Sequence, residues 1–90
     1  DFVWQNIRVF GHDGNHYGAH LINSMYGTIT NLRTYGGGGV RLVDNGTTGT
    51  WGNTVFLHLY VCLINPGTAH GVEAVDVSHL DFIRPQVNCE

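Results

Sequence analysis

The sequence predicts an all-β fold of solenoid type, in which successive turns of chain stack and equivalent strands pair in parallel. Three observations predict it. The composition favours strands and turns, with 13 Gly among 90 residues, many Val, Ile, Thr, Tyr, Phe and Trp, and no Lys at all. Strand-like runs recur with no amphipathic helix between them. Two residue patterns repeat in alternation along the chain at a loose period of about 20–30 residues, which is the signature of a repeat architecture.

The first pattern opens with a large apolar residue, has Asn or His third and Ile or Leu fourth. Its four copies are Trp4–Gly11, Ile29–Gly36, Phe56–Leu63 and Val77–Arg84. Asn6, Asn31, His58 and His79 hold the third place, followed by Ile7, Leu32, Leu59 and Leu80. The polar position belongs at a bend between two strands of one turn, where stacked amides bond along a ladder and an imidazole substitutes for an amide. The second pattern reads Gly, small apolar, polar, apolar, apolar, Asn or Asp. It occurs at Gly18–Asn23, Gly39–Asp44 and Gly71–Asp76. Strand alternation puts Val40, Leu42, Val72 and Ala74 inward, and Arg41 and Glu73 outward. Gly is expected to supply positive φ at the corners. The stretch 46–53, rich in Gly and Thr and carrying Trp51, reads as a loop protruding from one corner. All 90 residues form one domain or segment. A β-sandwich also shows many short strands, but it does not explain the two alternating patterns.

At "NIRVFG", "ITNLRTYG", "GVRLVDN" and "HGVEAVDVSHLDFIRP" the chain resembles the right-handed parallel β-helix of the pectin-lyase-like superfamily. The resemblance covers roughly residues 4–84, in three to four turns. It implies a surface that engages polysaccharide, as in phage tailspikes and pectin lyases, and an extracellular or virion-surface location. The catalytic patterns of those enzymes do not appear: Gly11-His12-Asp13-Gly14, His70-Gly71 and Arg84-Pro85-Gln86-Val87-Asn88-Cys89 do not match them in context. No family catalytic residue therefore carries over. The shortness suggests a fragment of a longer helix, or a subunit that trimerises or stacks end to end into a fibre or spike.

Composition removes several function classes. Four Arg and no Lys leave no basic footprint for nucleic acid. No apolar run approaches the ~18–20 residues of a membrane span. "YGGGGV" at 35–40 lacks the Lys-Ser/Thr and the helix of a phosphate-binding loop. His12, His16 and His20 sit at helical zinc spacing, but Gly11, Gly14 and Gly18 interleave them, so neither metal nor cofactor is expected. Asn45-Gly46-Thr47 fits a glycosylation acceptor, a common tripeptide. Cys62 and Cys89 can pair in an exported protein, whereas Cys62 in its apolar run reads equally as a buried thiol.

The candidate site residues follow from the stacking. Strands of adjacent turns lie ~4.8 Å apart, so Asp44 and Asp76 stack as near neighbours within reach of a retaining glycosidase pair. Asp44, Asp76 and Glu73 are the candidate acid, base or nucleophile; both Asp residues read more readily as turn caps that accept backbone N–H bonds. Arg41 is expected to pair with Glu73 and to neutralise substrate charge. Tyr35, Tyr60 and Trp51 are the candidate sugar platforms, because exposed aromatic faces stack on sugars. A column of Phe10, Tyr35, Cys62 and Ile83 is expected to run down one face as a sugar track or subunit contact.

Overall fold

The computed structural model describes residues 2–23, 26–44, 54–77 and 79–89. It is all-β, with strands β1 (Phe2–Phe10), β2 (Ala19–Ile22), β3 (Gly27–Gly36), β4 (Val40–Val43), β5 (Thr54–Leu57), β6 (Tyr60–Leu63), β7 (Val72–Val75), β8 (Leu80–Ile83) and β9 (Gln86–Cys89). Every strand pairing is parallel. One curled sheet has the order β8-β5-β3-β6-β9 with β1 on the other edge of β3, and a second has the order β2-β4-β7. The chain alternates between the two sheets as it advances.

The register follows from the repeating patterns. Phe2 faces Gly27, Gly27 faces Thr54, and Thr54 faces Leu80, at steps of 25, 27 and 26 residues. In the second sheet Ala19 faces Val40 and Val40 faces Val72, so the frame opened by Gly18, Gly39 and Gly71 is in register throughout. Inward residues of both sheets make one core: Leu21, Val40 and Leu42 from one, Ile29, Leu32, Phe56, Leu59 and Val61 from the other. Phe56 stacks on Phe82 at 5.0 Å and 22°. Ala74, expected inward, is exposed, because β7 ends its sheet and no strand covers it among the described residues.

The bend in the larger sheet has a local cause. β3 pairs with β5 before Asn31 and with β6 after it. Asn6, Asn31, His58 and Arg84 stand at the equivalent place on each strand pair, all with φ between 56° and 59°. Asn and His tolerate this left-handed conformation better than most residues, because a short polar side chain compensates locally. Asn31 Nδ2 donates to Asn6 Oδ1 at 2.9 Å, a cross-strand amide rung.

Three expectations are corrected here. The fourth copy of the first pattern is shifted by five residues: Phe82, not Val77, follows Trp4, Ile29 and Phe56, and Arg84, not His79, takes the bend. His79 is also left-handed (φ 56°), but it precedes β8, as Tyr26 (φ 49°) precedes β3. In the outward column Phe10, Tyr35 and Cys62 are followed by Asn88, while Ile83 faces Leu57. Corner glycines are mostly not left-handed: among the described glycines only Gly11 has positive φ. Gly39 instead permits close approach, since a Cβ there would collide with the Gly71 carbonyl oxygen.

Candidate functional site

The second sheet positions Arg41 and Glu73 as cross-strand neighbours on β4 and β7. Arg41 Nε donates to Glu73 Oε1 at 2.6 Å, the expected ion pair, with both side chains partly buried. Tyr17, which sequence reasoning did not single out for this role, completes the cluster: its hydroxyl donates to the same Oε1 at 2.8 Å and accepts the His70 amide at 3.1 Å. Arg41 Nη1 donates to His20 Nε2 at 2.9 Å, which places the proton of a neutral His20 on Nδ1. The Tyr17 hydrogen bond, then the Arg41 guanidinium, hold the Glu73 carboxyl below its ordinary range. Burial, opposed by the His70 amide and aided by Glu73, pushes the Tyr17 hydroxyl upward. Glu73 is thus an ionised, committed carboxylate, the opposite of the raised pKa that a general acid needs.

Asp44 and Asp76 follow β4 and β7 by one residue each, in matching register after Val43 and Val75. The Asp44 amide donates to the Val75 carbonyl at 3.0 Å, so the ladder extends to this point. Asp76 has φ 56° and is exposed. Asp81 lies in the other sheet, facing Val55. Trp51 and Asn45 lie outside the described residues.

The larger sheet brings the other candidates together. Tyr35 and Tyr60 project from the outer face of β3 and β6, with ring centroids 5.6 Å apart. Phe10 extends this row, stacked on Tyr35 at 5.0 Å and 9°. Arg33 faces Tyr60 across the strands and holds its guanidinium 5.9 Å from that ring. Its Nε donates to Asn31 Oδ1 at 3.1 Å. Arg33 also faces Arg8 on β1, so the lean toward Tyr60 carries it away from a like charge. The bend opens a cavity of about 410 Å³ lined by Asn31, Arg33, Tyr35, His58, Leu59, Tyr60, Arg84 and Gln86. Three of the chain's four Arg, Arg8, Arg33 and Arg84, belong to this sheet, and the fourth, Arg41, is neutralised by Glu73.

The alternation Asn31-x-Arg33-x-Tyr35 carried the signal for this groove, since three outward residues in a row on one strand project to one face. Arg84 was not readable as a member, because it stands where the pattern has Asn or His.

The three histidines at helical spacing go to separate partners: His12 Nε2 to the Gly38 carbonyl, His16 Nδ1 to Asp13 Oδ1 (both 2.6 Å), and His20 to Arg41. The Asn15 amide and then His16 lower the Asp13 pKa. No group of three His, Cys, Asp or Glu is placed to hold a metal ion among the described residues. Nor is any helix among them long and apolar enough to cross a membrane. No family model matches the sequence, and neither a curated protein nor a solved structure matches it.

Proposed function

We propose that this chain is a polysaccharide-engaging segment of a right-handed parallel β-helix of pectin-lyase-like type, working outside the cell or on a virion surface. Parallel pairing at steps of 25–27 residues in the larger sheet, and the chain's repeated return to the smaller one, support the solenoid reading. One observation carries the function: Tyr35, Tyr60 and Arg33 converge at a single groove on the outer face of the bent sheet. Aromatic rings stack on sugar faces, and a guanidinium binds carboxylate or sulfate groups in a bidentate manner.

The reading is binding without turnover. Asp44, Asp76 and Glu73 belong to the smaller sheet, so a glycan in the Tyr35–Tyr60 groove is not presented to them. The test is a panel of acidic and neutral polysaccharides, read for binding and for new reducing ends or unsaturated products. Binding of an acidic polymer is expected, weakened about 2- to 12-fold in Tyr60→Ala, since one aromatic contact contributes about 0.5–1.5 kcal/mol. Turnover abolished in Asp44→Ala and Asp76→Ala would replace this reading with an enzyme. Absence of all binding would leave a structural module that stacks or trimerises. That second reading is favoured by the outward apolar residues of the edge strands, with Val3 and Phe10 each 65% exposed and Ile83 48% exposed, and by Val87 at the open end of the inward row, 48% exposed.

A further inference from the structure

Residues 11–18, between β1 and β2, read Gly-His-Asp-Gly-Asn-His-Tyr-Gly and carry no aliphatic side chain. The connection in the next turn, 37–39, is much shorter, and the one after it, 64–71, is long again. The two long connections therefore meet over the short one. The Gly14 carbonyl accepts the Gly67 and Ala69 amides at 3.1 and 2.9 Å, and Asn15 Oδ1 accepts the Thr68 hydroxyl at 2.9 Å. Tyr17 reaches further, to Glu73 on β7. An Asx turn shapes the tip, with the Asn15 amide donating to Asp13 Oδ1 at 2.9 Å.

The short connection lies beneath. The Gly37 amide donates to the His12 carbonyl at 3.0 Å, and His12 Nε2 donates to the Gly38 carbonyl at 2.6 Å. A Cβ at Gly37 would run into the backbone of Asp13 and Gly14, and one at Gly38 into the His16 carbonyl oxygen and the Ala69 side chain. The glycine run of "YGGGGV" thus makes room for a crossing chain. None of the buried core residues comes from 11–18. The segment is held by hydrogen bonds that water can replace, so it opens at less cost than the core. His12 Nδ1 is enclosed without a partner among the described residues and gains one in water, which favours opening. His12, Asp13 and Gly14 also wall a cavity of about 470 Å³, faced by Phe10, Tyr35 and Ile64. We propose that residues 11–18 are a strap that opens and closes as one unit while the ladders stay intact, and that its closure builds this cavity. The device stands whatever the groove at the bend binds.

The experiment is residue-resolved amide hydrogen exchange on the intact chain. The amides of Gly37, Gly67, Thr68, Ala69 and His70 all donate to the strap, whereas those of Val40 and Ile64 donate to ladder carbonyls of Gly71 and Gly36. After correction for intrinsic rates, the five strap amides should share one opening constant and exchange at least about tenfold faster than the two ladder amides. Tyr17→Phe removes the link to Glu73 and should speed exchange at Gly37, Gly67 and Ala69 by roughly 2- to 12-fold, although none of them bonds to Tyr17. Gly37→Ala should hold the strap open, bringing Gly67, Thr68 and Ala69 near free-amide rates with Val40 and Ile64 still protected. The Tyr35 and Ile64 side-chain resonances should shift in the same variant as the cavity loses its wall. Strap amides that exchange only at the ladder rate would overturn the proposal, since the segment would then open only with the whole fold. Faster exchange at His70 alone in Tyr17→Phe would overturn it too, showing bonds that break one by one. Unmoved Tyr35 and Ile64 resonances in an open Gly37→Ala variant would overturn the link to the cavity.

Discussion

At the residue scale, Thr34 shows how the inward row handles a polar side chain. It is fully buried between Val9 and Val61, and its hydroxyl has no hydrogen-bond partner. A buried unsatisfied hydroxyl costs about 1–3 kcal/mol. Thr34→Val removes it with little change of shape, so the variant should gain about 1 kcal/mol in urea unfolding, a rise of ~4–8 °C in melting temperature for a domain of this size. The left-handed residues make the complementary point. Asn6, Asn31 and His58 announced the bend because their side chains tolerate it. Arg84 did the same job without announcing it, and Pro85 took the place where Leu was expected. His79, left-handed at a different corner and followed by Leu80, imitated the pattern. The five-residue slip therefore came from two corners that share a backbone conformation.

At the element scale, the frame shared by β2, β4 and β7 was fully legible, since each copy opens with Gly and closes with Asn or Asp. The Arg41–Glu73 pair follows from that frame, but the Tyr17 contact does not, because it comes from the segment between β1 and β2 and depends on how that segment folds back. The pair makes a pH prediction. The folded pKa of Glu73 is below its unfolded value, so its contribution is present above the unfolded pKa and lost as pH falls through the folded one. Stability should therefore decline from about pH 5 downward, and Glu73→Gln should flatten that decline. Tyr17 acts in the opposite direction, with a raised folded pKa whose contribution is lost as pH rises past about 10. Equal acid sensitivity of Glu73→Gln and the parent chain would remove the ion pair from the account.

At the scale of the whole molecule, the parity of the strands settles the two cysteines. Cys89 faces Leu63 and Cys62 faces Asn88, so the cysteines sit one residue out of step and project to opposite faces of the sheet. They do not bridge; both are free thiols, Cys62 buried and Cys89 exposed. Maleimide should label Cys89 in the native protein at once. Cys62 should react only on unfolding, at a rate that follows global stability. Rapid double labelling without denaturant would show β6 and β9 opening independently of the core. The inward rows of both sheets share one core, and this was readable from alternation alone. Alternation gave the row Asn31, Arg33 and Tyr35 but not the place of Arg84 in the groove, because that arises at the bend.

The spacing between strands is uneven although the ladders are not. Three residues separate β3 from β4, yet eight separate β1 from β2 and β6 from β7. Ten lie between β4 and β5, against four at each equivalent step. Lengthening a connection costs little, rising only with the logarithm of its length. Such a scaffold is free to evolve by appendage: an insertion at one corner changes what the molecule displays there and leaves every rung elsewhere in step.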